Sequence, residues 1–131
     1  MRAFETKTLG PVPDAVAHDG TAVRLLLALS GGSFAHFELP AGAISHAVAH
    51  RTVEEIWYFV AGKGRLWRRT GETQSVVEVE PGVCVTIPLG AHFQFRAGAH
   101  APLAFVAVTM PPWPGAEEAF VVSGPWTPTV E

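Results

Sequence analysis

His50 and Glu55 are the residues of this chain whose types and spacing best suit chemistry. An imidazole and a carboxylate five positions apart, beside the apolar run Ile56-Trp57-Tyr58-Phe59-Val60, can serve as general acid and general base if the fold brings them together. Side chains alternate along a strand, so His46 and Val48 share the face of His50, and Trp57 and Phe59 share the face of Glu55. Phe93 and Phe95 form a second alternating aromatic pair. Turned inward, these faces would make an apolar pocket with convergent polar groups, the usual form of a small-molecule site. The expected pocket is Trp57, Phe59, Phe93, Phe95, Val48 and His46 around a His50–Glu55 acid–base pair.

Such a pocket needs a framework, and composition limits which one. The chain has 131 residues, a length suited to one domain. Hydrophobic residues make up 48% and charged residues 16%, which excludes a disordered chain. Gly and Pro, 13 and 11 in number and spread along the whole length, argue against a helix bundle. No apolar run approaches the roughly 20 residues of a membrane span, and residues 1–10 lack a signal-peptide core. A cytoplasmic protein is expected. Nine Lys and Arg against twelve Asp and Glu give a formal charge of −3, which does not suit a nucleic-acid binder. The one basic cluster, Arg65, Arg68 and Arg69, reads as a solvated strand face.

Turn signals recur every 8 to 15 residues, from Asp19-Gly20 to Ala97-Gly98. Between them lie short runs rich in Val, Ile, Phe, Trp and Thr: 33–39, 55–60, 65–69, 75–79, 83–87, 93–96 and 103–109. Residues 22–29 have the composition of a helix but the length and flanking turns of a buried strand, and are read as a strand. Short strands at regular spacing predict a sandwich or small barrel. The segment Met110-Pro-Pro-Trp-Pro-Gly115 loses three backbone donors and should lie extended on the surface; residues 117–122 can add an edge strand. The barrel core is placed at about 22–110 and the tail at 111–131, in a single domain. Cys84, between Val83 and Val85, reads as a small core residue. His18, His100, Glu117 and Glu118 read as solvent-exposed, and Trp67 and Trp126 as packing or dimer-contact residues.

The turn glycines carry a more specific signal. Gly42, His50, Glu55 and Gly62, then Gly82, Pro88 and Gly90, fall at the spacing of the two motifs of the cupin superfamily, with nineteen residues between the motifs. Seven of ten fixed positions match, and the texture of 53–64 and of the Pro-rich tail is similar to small stand-alone bacterial cupins of the conserved-barrel type. The resemblance implies an all-β double-stranded β-helix, a jelly-roll barrel that is usually homodimeric. It also implies a divalent metal held by three His and one Glu. Here Val48 and Phe93 stand where two of those His belong, and Ala97 replaces an Asn. His46 lies four residues from His50, about 13 Å along a strand. His92 could enter only if a β-bulge after Gly90 reversed the alternation.

Three readings follow for this site. A metal is held by His50, Glu55 and a displaced His92; or a metal-free pocket uses His50 and Glu55 as polar handles; or the two form a structural pair in a filled barrel. The preferred function is binding of a small apolar or aromatic molecule without an obligatory metal. The alternative is a metal-dependent oxygenase, isomerase or decarboxylase; a third is a metal-free enzyme with Glu55 as base and His50 as acid. Tyr58 and Ile56 face away from Glu55, and an exposed apolar sheet face needs a cover. A homodimer interface is expected there, with no nucleic-acid or membrane partner.

Overall fold

A computed structural model describes residues 2–131. Among them there is no helix, and so none long and apolar enough to cross a membrane. Eleven strands follow in chain order: β1 Ala15–Val16, β2 Ala22–Leu29, β3 Gly32–Leu39, β4 Val48–His50, β5 Glu54–Ala61, β6 Gly64–Thr70, β7 Thr73–Val79, β8 Cys84–Ile87, β9 His92–Ala97, β10 Leu103–Met110 and β11 Ala119–Val121. They form two antiparallel sheets, one ordered β1-β2-β3-β10-β5-β8 and the other β11-β4-β9-β6-β7. From β3 onward the chain changes sheet at every step except the β6–β7 hairpin, as in a jelly-roll, double-stranded β-helix barrel.

Residues 22–29 are indeed a strand, and the expected strand runs recur with ends shifted by a residue or two. Composition lost to tertiary context at 22–29, where pairing of Ala22 with Glu38 and Val23 with Phe37 decides the state. The short strand β4 carries His50 and pairs Val48 with Phe93 across to β9.

Alternation is cleanest on β5, where Glu55, Trp57 and Phe59 are buried and Glu54, Ile56, Tyr58 and Val60 are exposed. The inward faces of both sheets fill the barrel with one aromatic cluster. Trp57 stacks on Phe105 at 4.1 Å between ring centroids, and Phe95 meets both rings edge-on at 5.4 Å. Such geometries add to the burial energy of the rings themselves. On β3 the inner residues are Phe37 and Leu39, which leaves Phe34, His36 and Glu38 outside. Cys84 is a correction to the sequence reading: Val85 points into the core, so alternation puts the thiol on the exposed outer face.

The C-terminal segment is fastened to the outer face of the five-stranded sheet. The buried Gln94 amide donates to the Ser45 and Trp126 carbonyls at 2.8 Å, and its oxygen accepts from the Trp126 N–H. The Arg96 guanidinium lies over the Trp126 ring, and Thr129 pairs with Ile44. Trp67 is buried too, with its indole N–H donated to Gln74. Glu118 is a second correction. It is buried, and it accepts hydrogen bonds from the Thr52 hydroxyl and from the Thr52 and Val53 N–H groups.

Candidate functional site

The site forms where β4 ends and β5 begins, at one rim of the barrel. Glu55 lies opposite Ile87 on β8 and Thr109 on β10, so its carboxylate enters the interior at that rim. Both of its oxygens are engaged: the Trp57 Nε1–H donates to one at 3.0 Å, and the Thr109 hydroxyl donates to the other. Two donors satisfy a buried carboxylate that would otherwise carry a large desolvation cost.

His50 sits across the same rim, buried, with the Phe93 ring 5.2 Å from its own and the Trp113 ring 5.4 Å away, both edge-on. Its Nδ1 is buried without a hydrogen-bond partner. Trp113 belongs to the Pro-rich segment, whose backbone is tied down by the Trp113 N–H donating to the Ser33 hydroxyl at 2.9 Å. A third group is close enough to matter electrically. Asp19, in the turn before β2, is buried, and the charges of His50 and His46 act on it. Burial raises its pKa above the ordinary 3.8, while the hydrogen bonds from Thr21 and the two imidazoles oppose the rise.

The expected acid–base pair is therefore not a bonded pair. No ion pair joins His50 to Glu55 among the described residues, because Glu55 is committed to Trp57 and Thr109. The expected pocket is also altered. Val48, Trp57, Phe59, Phe93 and Phe95 all turn inward, but they pack against one another as the core and leave exposures of 2% or less. His46 stands apart, half-buried, on a cleft of about 330 Å³ that it shares with Gln94, Trp126 and the tail. What remains at the rim is His50 between Phe93 and Trp113.

His92 is corrected as well. Strand β9 runs without a bulge and pairs Phe93 with Arg68 and His92 with Arg69. Phe93 thus takes the interior, and His92 lies on the opposite face with its Nδ1 3.3 Å from the Arg69 guanidinium. Partial burial and then Arg69 lower its pKa below the ordinary 6.5. A metal shell built from His50, Glu55 and His92 does not assemble. Among the described residues no group of three or more His, Cys, Asp or Glu side chains could hold a metal ion. The donors present do not fit the three-His, one-Glu set, since two of its places are apolar and the carboxylate is already bonded.

Thr109 and Trp113 were not singled out by the sequence. Thr109 was hidden because its partner is 54 positions away, a distance only strand register can close. For Trp113 the one available signal was an aromatic residue framed by prolines. Arg68 was read with the solvated face, yet it shares the inner side with Leu66, and its guanidinium donates to the Thr86 carbonyl on β8 at 2.9 Å.

Fold and site together define a cupin-type barrel whose metal positions are largely replaced. A family model described as a cupin domain matches residues 35–109, more than half of the chain. The protein belongs to the cupin family. Among solved structures it is similar to a cupin protein from Bacteroides fragilis, at 23% identity over 85% of this chain and 86% of that one, with a TM-score of 0.65. It is similar to an oxalate decarboxylase from Lactobacillus farciminis, solved as a formate complex, at 19% identity over 87% of this chain and 33% of that one, with a TM-score of 0.69. It is also similar to the Streptomyces protein PAC13, solved with uridine, at 11% identity over 92% of each chain, with a TM-score of 0.71. These likenesses are of fold. No curated protein matches the sequence.

Proposed function

We propose that this cupin binds a small planar apolar or aromatic molecule at the barrel rim, with His50 as its polar handle and no obligatory metal. The observation that carries the reading is the His50 Nδ1, a buried ring nitrogen without a partner, held between the Phe93 and Trp113 rings. Buried polar atoms are nearly always bonded, and one left unmade costs about 1–3 kcal/mol. A ligand group that reaches it recovers that cost. Trp113, 38% exposed, is the ring that gives way to admit it. The related fold solved with uridine, a planar base on a sugar, is in keeping with a ligand of this shape. The lone exposed cysteine suits a reducing compartment, in line with a cytoplasmic protein.

A metal-dependent oxygenase, isomerase or decarboxylase would need Glu55 released from Thr109 and at least one further donor, and no observation favours it. Calorimetric titration with a panel of small aromatic alcohols, carboxylates and nucleosides tests the proposal. A member of the panel should bind, and His50→Ala should weaken it about tenfold, equal to roughly 1.4 kcal/mol. Stoichiometric transition metal in protein purified without chelators or a metal column would overturn it.

A further inference from the structure

The basic cluster on β6 takes no part in the site at His50. Arg65, Arg68 and Arg69 are three of the nine Lys and Arg residues of a chain whose formal charge is −3. Arg65 is neutralised by Glu78, 2.9 Å away. Arg68 and Arg69 have no carboxylate partner among the described residues.

The hairpin of β6 and β7 arranges what surrounds them. Its register pairs Arg68 with Ser75 and Thr70 with Thr73, so these four side chains share one face. A cleft of about 160 Å³ opens there, lined by all four together with Arg69 and with Thr86 of β8. Pro88 and Ala91, from the turn between β8 and β9, also line it. No carboxylate does. Glu72, in the hairpin turn, lies outside the lining, and Glu55, opposite Ile87 on β8, is already bonded to Trp57 and Thr109. The volume is below the roughly 300 Å³ at which pockets for organic ligands begin, and suits a small ion or one group of a larger molecule.

The donors are suited to one kind of ion. Arg68 donates from Nη1 to the Thr86 carbonyl at 2.9 Å. That bond uses one of its five N–H donors and fixes the plane of the guanidinium, whose fork matches a phosphate oxygen pair. Thr70, Thr73 and Ser75 are exposed, so their hydroxyls are open to a ligand. A carboxylate offers two oxygens in a plane, whereas a phosphoryl group offers three or more around a tetrahedron. Donors spread over two strands of a hairpin serve the second better.

We infer that this cleft binds a phosphoryl group, as inorganic phosphate or a phosphate monoester, through Arg68, Arg69 and the hydroxyls of Thr70, Thr73 and Ser75. The site does not depend on the ligand proposed for His50. Phe93 stands between them, paired with Val48 of β4 on one side and with Arg68 on the other.

Titration of the full chain with inorganic phosphate, glycerol phosphate and acetate tests this, read from backbone amide signals at constant ionic strength so that screening stays the same throughout. Phosphate or its ester should move the signals of β6, β7 and the β8–β9 turn to saturation, with a dissociation constant of about 1 mM or lower. Tighter binding of the ester would identify an organic phosphate as the natural form, and tighter binding of phosphate the free ion. Acetate should bind at least about tenfold more weakly than either. Arg68→Gln should raise the dissociation constant about tenfold, and Arg69→Gln, which leaves the bond to Thr86 in place, about threefold. If Arg68→Gln disturbs the fold, Arg69→Gln decides alone. Shifts that do not saturate, or that appear equally around Arg24 and Arg51, would overturn the inference. So would acetate binding as tightly as phosphate, or affinity unchanged in a folded variant.

Discussion

At the scale of single residues, the Glu55 carboxylate works as a structural joint between β5 and β10. Thr109→Val keeps the shape and deletes the donor, and should destabilise the protein by about 1–3 kcal/mol in urea unfolding; no change in midpoint would mean the joint is idle. Asp19 and Glu118 set opposite pH dependences. Glu118 titrates below its ordinary 4.5: burial pushes it up, but the Thr52, Val53 and Arg51 hydrogen bonds prevail. Its contribution is present above pH 4.5 and lost as pH falls through the lower native value. Asp19 titrates above 3.8 because of burial, so stability falls as pH rises from 3.8 through the native value. Glu118→Gln should flatten the acid limb of midpoint against pH, and Asp19→Asn should flatten the fall above it. The motif spacing made Val48 and Phe93 legible as lost metal positions. It could not show that Phe93 would keep the interior. That follows from regular pairing with Val48 and Arg68, which leaves no bulge to turn His92 inward.

At the scale of elements, turn chemistry and alternation carried most of the information. Gly62 shows why. Its φ is +76°, and a Cβ built there would lie 2.1 Å from the Pro102 carbonyl oxygen. Gly71 has φ +60° with open space around it. Gly62→Ala should therefore cost more than ~2 kcal/mol and Gly71→Ala about 1 kcal/mol, read from thermal or urea midpoints. Equal costs would show that the contact with Pro102 relaxes freely. Strands with clean alternation, such as β5, could be read directly. Three-residue β4 could not, because so short a run has no period of its own and is fixed by its neighbours β9 and β11. The burial of Glu118 had the same origin: its donors lie about 65 positions back, in the turn after β4.

At the scale of the whole molecule, the barrel is filled by aromatic rings, and His50 lies at one rim of it. A protein stabilised by a resident ion loses stability when the ion is removed, because binding to the native state alone adds to its free energy. Dialysis against EDTA should leave the melting temperature of this cupin unchanged. A fall of several degrees would mean that a metal contributes to the fold after all. The fold was legible as a whole because a barrel is specified by many independent turns and strands. The site was legible only in outline, because its decisive contacts join β4, β5, β10 and the Pro-rich segment, which meet only in three dimensions.

The aromatic interior also gives the molecule an optical signature. Trp57 is 2% exposed, boxed by Phe93, Phe95 and Phe105, and its indole N–H is fixed on a carboxylate. An indole so shielded from water emits at short wavelength and resists quenching by iodide. Trp113 stands at the rim in partial contact with solvent, and its light is redder and open to quenchers. With Trp67 and Trp126 replaced by Phe, the two remaining emitters would report separately on the barrel interior and on its rim, without any added label.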